Sequence, residues 1–138
     1  MKLARLNEVQ IGEVGEHICV TRLLKMDIPA HIVHMGCVDV VAEFHDKLWR
    51  IQVKTSQLKR NGKTNTGYQF ATSKGRKKAP LSLSDCDIVA FVAYDMEAVW
   101  FEPVCALRRS ITKRLRPATF DKFQSCRRSW ERCIEYYE

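Results

Sequence analysis

Arg50-Ile51-Gln52-Val53-Lys54-Thr55 is the stretch on which the fold turns. Side chains of a strand alternate between its faces, so Trp49, Ile51 and Val53 point one way and Arg50, Gln52 and Lys54 the other. An apolar face against a core is ordinary. A Gln and a Lys on the opposite face, beside a strand carrying Asp39, are less so. Asp39 stands between Val38 and Val40 among mostly apolar neighbours, where a carboxylate is costly unless paired or bound to a metal.

Upstream, Val14, Ile18, Thr21 and Leu24 form a stripe that predicts a helix over residues 10–26, with Val20 and Leu23 on its flank. Asp27 and Pro29 end it, because proline cannot continue a helix and disfavours it in the residue before. Residues 31–34, 38–44 and 48–55 read as strands, the last two joined in a hairpin by His45-Asp46-Lys47. Asn61-Gly62 marks a turn, Tyr68-Gln69-Phe70 a brief strand and residues 73–79 a basic loop. The run from Asp87 to Tyr94 is strongly apolar through Ile88, Val89, Ala90, Phe91, Val92 and Ala93, as in a strand buried on both faces, and residues 99–101 make its neighbour. Residues 105–113 and then 119 or 121 to 136 read as helices. A mixed central sheet flanked by helices satisfies this order, an α/β (α+β) class.

At 138 residues the chain makes one domain with a sizeable core. A hydrophobic fraction of 46% excludes general disorder. No apolar run reaches the about 18 residues needed to span a bilayer and no signal-peptide core opens the chain, so no membrane and an intracellular, cytoplasmic location are expected. The six cysteines form no CxxC pair; without a secretory signal they read as core packers, not as disulfides. His31 and His34 lack a matching cysteine pair, which disfavours zinc.

The net charge of +7 is informative through its location. Basic and acidic residues cancel over residues 1–54 and again over 79–138. Between them Lys59, Arg60, Lys63, Lys74, Arg76, Lys77 and Lys78 stand without one acidic residue. Such a block suits a polyanion; its plainer reading is a solvated loop.

Glu16 shares a helical stripe with Val20 and Leu23 and adds a second inward carboxylate. Magnesium takes one or two carboxylates, with water or phosphate completing its shell. On the residues alone, a cross-strand Asp39–Lys54 ion pair and a surface Glu16 explain the pattern more simply.

Taken in order, Gly12-Glu13-Val14-Gly15-Glu16, Gly36-Cys37-Val38-Asp39 and Arg50-Ile51-Gln52-Val53-Lys54-Thr55 resemble the PD-(D/E)XK nuclease superfamily. The Gln-Val-Lys-Thr form looks most like its cyanobacterial-type group I intron homing endonucleases. Those also show a run like Asp85-Cys86-Asp87-Ile88-Val89-Ala90-Phe91 followed by Val99-Trp100-Phe101-Glu102-Pro103. The resemblance implies a restriction-endonuclease-like core over residues 1–107 of a single 1–138 domain, with 108–138 a basic helical extension. It implies a bacterial- or phage-type endonuclease using Mg2+, or Mn2+. Asp39 and Glu16 would be metal ligands with the Val53 carbonyl, Gln52 would fill the slot usually held by an acid, and Lys54 would be the catalytic lysine. Val38 stands where the signature has proline, and Gln52 leaves the site one negative charge short. Glu13, in the first helical turn, suits a dipole role better.

The basic block leaves the Gln52–Lys54 strand directly, so its seven cations are the expected phosphate contacts on duplex DNA. Gln57, Asn61, Asn65 and Gln69 have side chains suited to reading bases. Arg108, Arg109, Lys113, Arg114, Arg116, Arg127, Arg128 and Arg132 either extend that footprint or solvate a helix. Trp130, Ile134 and Tyr137 make an apolar helical stripe that docks on the core or forms the interface of a homo-oligomer, dimer or tetramer. The expected function is site-specific hydrolysis of duplex DNA. A Holliday-junction resolvase of the same fold and a non-catalytic DNA-binding module are the alternatives.

Overall fold

The computed structural model describes residues 3–58, 60–61, 64–65, 67–120 and 123–138; for 60, 61, 64, 65 and 123 it describes the backbone alone. Helix α1, Glu8–Lys25, starts earlier than its apolar periodicity shows because Asn7 caps it. The Asn7 side chain accepts from Gln10 N at 2.9 Å while Gln10 Oε1 accepts from Asn7 N at 2.9 Å, a reciprocal capping box. Its buried residues are Gly15, Cys19 and Leu23, whereas Thr21 is exposed and Leu24 is 55% exposed. The contact seam therefore lies one position from the stripe expected from hydropathy. Two of its members are small, which lets the helix lie close on the sheet, and small side chains weigh little in an apolar pattern.

Strands β1 (Ala30–Met35), β2 (Val38–Phe44) and β3 (Lys47–Ser56) form an antiparallel meander. The β2–β3 turn has His45 at φ 52° and Asp46 at φ 58°, the left-handed pair that a tight two-residue hairpin needs. Short pairs follow: β4 (Arg60–Asn61) with β5 (Thr64–Asn65), and β7 (Ser73–Lys74) with β8 (Ala79–Pro80), around β6 (Tyr68–Ala71). Strand β9 (Ile88–Ala93) then lies parallel to β3, and β10 (Ala98–Pro103) pairs antiparallel with β9. The central sheet runs β1-β2-β3-β9-β10, the mixed α+β architecture expected from the element order.

One face of the sheet carries Trp49, Ile51, Val53, Ile88, Ala90 and Val92 against α1 and α2 (Phe123–Tyr137). The other face buries Val89, Phe91 and Ala93 against Tyr68, Phe70 and Phe120. Every residue of β9 is buried, as its continuous apolar run requires. Trp130 and Ile134 are buried in the first core and Tyr137 packs against it, so the C-terminal stripe docks on the chain's own sheet. Cys19, Cys86, Cys126 and Cys133 are buried free thiols.

The expected helix over 105–113 is corrected. Only Val104–Leu107 turns, as a 3-10 segment, and Arg108 and Arg109 at φ 51° and 63° break it. Thr112–Leu115 then forms strand β11, antiparallel to β6. The β-branched Ile111 and Thr112 favour extended backbone, and the open edge of β6 supplies the ladder. Residues 73–79, read as a loop, form the β7–β8 hairpin with Gly75 in its turn at φ 68°.

Candidate active site

Pairing between β2 and β3 stops at Val40↔Ile51. Beyond that rung Asp39 takes the place of a strand partner: its Oδ2 accepts from Val53 N at 2.9 Å and from Gln52 Nε2 at 2.7 Å. The sheet thus opens at a half-buried carboxylate. Burial pushes the Asp39 pKa above the ordinary carboxylate range and nearby Glu16 adds to the rise, while the Val53 N–H, Lys54 and His34 oppose it. No hydrogen bond engages Asp39 Oδ1 among the described residues.

Glu16 comes from α1, with only 14% of its side chain exposed, and His34 Nε2 lies 2.8 Å from its Oε1. That contact raises the His34 pKa. Placing Glu16 here requires α1 to touch β3, and Gly15 permits it: a Cβ at Gly15 would stand 1.8 Å from Thr55 Oγ1 and 2.9 Å from Thr55 Cβ. Lys54 Nζ donates to the Ser73 carbonyl at 3.2 Å. Burial lowers the Lys54 pKa, and Asp39 partly restores it. Lys54 therefore meets Asp39 through the local field while its direct bond goes to Ser73.

The structure brings Asp39, Gln52, the Val53 backbone and Lys54 together, with Glu16 close enough to act on Asp39. Gln52 Nε2 also approaches Val53 O at 3.4 Å, so its amide rests between two oxygens suited to a cation. Turning that amide over presents Oε1 in its place.

The donor set is entirely oxygen, with a desolvated carboxylate and its like-charged neighbour, which fits a hard divalent cation. Among the described residues no three His, Cys, Asp or Glu side chains cluster as in a full metal cage. An ion here would rest on Asp39 and Glu16, the Val53 carbonyl, water and substrate.

Of the expected phosphate contacts, Arg76, Lys77 and Lys78 are exposed around the β7–β8 turn. Lys74 is engaged by Asp85 at 2.5 Å, so part of its charge is answered within the chain. Lys59, Lys63 and the side chain of Arg60 lie outside the described residues, as do the side chains of Asn61 and Asn65. Reading the sequence missed His34 as the partner of Glu16 and Ser73 as the anchor of Lys54. Neither carries a local signal, since a backbone carbonyl has no sequence identity and His34 meets Glu16 only after α1 crosses the sheet.

The fold is similar to a solved structure described as that of a bacterial homing endonuclease, I-Ssp6803I. The TM-score is 0.72 with 18% sequence identity over 95% of this chain and 95% of that one. No protein-family model and no curated protein matches the chain. At this identity the likeness establishes a shared fold, within which the chain's own residues must carry any functional argument.

Proposed function

We propose that the chain is a metal-dependent endonuclease of the PD-(D/E)XK type that hydrolyses phosphodiester bonds in duplex DNA, acting at specific sites as a homing endonuclease does. The observation that carries this is the break in the β2–β3 ladder, where Asp39 meets Gln52, Val53 and, through the field, Lys54 and Glu16. A structural ion pair does not account for it, because Lys54 bonds Ser73 and Asp39 bonds neutral donors. The solved structure of similar fold is a homing endonuclease by its description, which agrees with this reading.

Asp39 and Glu16, with the Val53 carbonyl, would hold Mg2+, or Mn2+ in its place. The bound ion would polarise the phosphate and make a coordinated water more acidic. Lys54, aimed by Ser73, sets an ammonium beside the phosphate, where charge grows as water oxygen bonds to phosphorus and the bond to the leaving alcohol breaks. Burial makes that ammonium a readier proton donor. Arg76, Lys77 and Lys78, exposed around the β7–β8 turn, would hold the DNA backbone. One such centre cuts one strand, so a double-strand cut calls for a dimer or tetramer.

The test is cleavage by purified protein with Mg2+ or Mn2+ on a library of duplex sites and on four-way junctions. Asp39→Ala and Lys54→Ala should each lose about 100-fold or more in nicking while gel-shift binding persists. Cutting of junctions alone would reassign the chain as a resolvase. Binding without any cutting, or cutting that survives both substitutions, would overturn the catalytic reading.

A further inference from the structure

The strands β6 and β11 come from two separate stretches that share a composition. No Asp or Glu occurs from Thr55 to Ser84, nor from Pro103 to Phe120, and both stretches are basic. The fold joins them into one antiparallel ribbon, with Gln69 opposite Arg114 and Ala71 opposite Thr112. Bonds from Thr72 N to Ile111 O at 2.9 Å and from Thr72 Oγ1 to Ser110 O at 2.6 Å extend it.

The ribbon has a fixed inner face and a free outer one. Tyr68 and Phe70 are 1% and 2% exposed in the second core, and Leu115 packs beside them. Lys113 is turned toward β10 by Glu102 at 3.1 Å. Gln69, Ala71, Thr112 and Arg114 are all exposed. Beside them is the candidate active site: Ser73, just past the end of β6, holds Lys54. Gln69 also lines a cleft of about 420 Å3 with Thr55, Ser56 and Gln57 at the end of β3 and with Glu8 and Ile11 of α1.

A two-stranded ribbon is one of the two elements that a DNA major groove admits. Gln pairs with the N6/N7 edge of adenine and Arg with O6/N7 of guanine, while small apolar groups such as those of Ala and Thr meet the thymine methyl. The outer face carries these four residue types, and neither strand contributes a carboxylate to it, the nearest acidic neighbour of Gln69 in the cleft being Glu8 of α1. A solvated surface patch would need neither the rigid apolar backing nor the position beside Lys54.

We propose that the outer face of the β6–β11 ribbon is the base-reading surface of the protein, with the cross-strand pair Gln69 and Arg114 as its specificity-determining residues. The inference rests on the DNA reading above and is tested apart from cleavage. The full chain is used to select from randomised duplex DNA without divalent metal, as wild type, Gln69→Ala, Arg114→Ala and the control Lys25→Ala at the exposed end of α1. Wild type and control should select one consensus. Each ribbon variant should bind that consensus about tenfold or more weakly, lose preference at one base pair, and keep wild-type circular dichroism and affinity for unselected duplex. An unchanged consensus, or an equal loss on every sequence as a phosphate contact would give, overturns the base-reading role while leaving the nuclease reading intact. So does a wild-type protein that binds duplex without preference. A wild-type protein that binds no duplex at all removes the DNA reading and this inference with it.

Discussion

Gly15→Ala tests whether the close approach of α1 to β3 builds the site. The added Cβ would stand 1.8 Å from Thr55 Oγ1 and 2.9 Å from both Thr55 Cβ and Cγ2. Rotating the Thr55 side chain moves Oγ1 and Cγ2 but leaves its Cβ, so the helix itself must retreat. Overpacking of this kind costs about 3 kcal/mol at its upper end, and replacing a helical glycine by alanine returns about 1 kcal/mol. The net loss of about 2 kcal/mol should appear in urea unfolding, and as a fall in Tm of about 4 °C per kcal/mol. Glu16 moves with the helix, and a displacement of about 1 Å at such a site costs about 100-fold in rate, readable as Mg2+-dependent nicking. Thr55→Ala removes two of the three clashing atoms, and its Oγ1 is buried without a hydrogen-bond partner. Alone it should cost little; added to Gly15→Ala it should recover part of both losses, a coupling visible in a double-mutant cycle. A Gly15→Ala protein as stable and active as wild type, or a double variant with strictly additive losses, would refute the reasoning.

Asp39→Asn should stabilise the metal-free protein near neutral pH while abolishing nicking. Burial, chiefly, holds the Asp39 pKa above its ordinary value, so the native state favours the proton and folding is penalised once pH rises through that raised pKa. Asn keeps an acceptor for Val53 N and a partner for Gln52, so the stability gap should close on acidification below about pH 4. Adding Mg2+ should stabilise wild type alone; a gap independent of pH in urea titrations would contradict this. Asp87→Ala should cost about 2 kcal/mol in the same assay. The Asp87 carboxylate accepts from Arg50 N at 2.9 Å, Nε at 3.3 Å and Nη2 at 3.0 Å, and its loss leaves the Arg50 backbone N–H without an acceptor while the half-exposed guanidinium keeps its bond to Leu83 O at 2.7 Å. A loss under about 1 kcal/mol would show that water replaces the pair.

The sequence by itself determined whatever is local or periodic. Alternation along residues 49–54 assigned the faces of β3, the unbroken apolar run of 88–93 marked the central strand, and Asp27 with Pro29 ended α1. The candidate site of Glu16, Asp39, Gln52 and Lys54 was legible only through the resemblance of their order to a nuclease signature, because the residues alone read more simply as an ion pair and a surface carboxylate. Tertiary structure decided what depends on surfaces meeting. The seam of α1 shifted to Gly15, Cys19 and Leu23 because close approach selects small residues over greasy ones. Residues 112–115 became a strand because the open edge of β6 outweighed a weak helical pattern. Lys74 turned to Asp85, His34 to Glu16 and Lys54 to Ser73. Each of these contacts joins residues distant in the chain, and hydrogen-bonding partners at such separations leave no period for a single sequence to display.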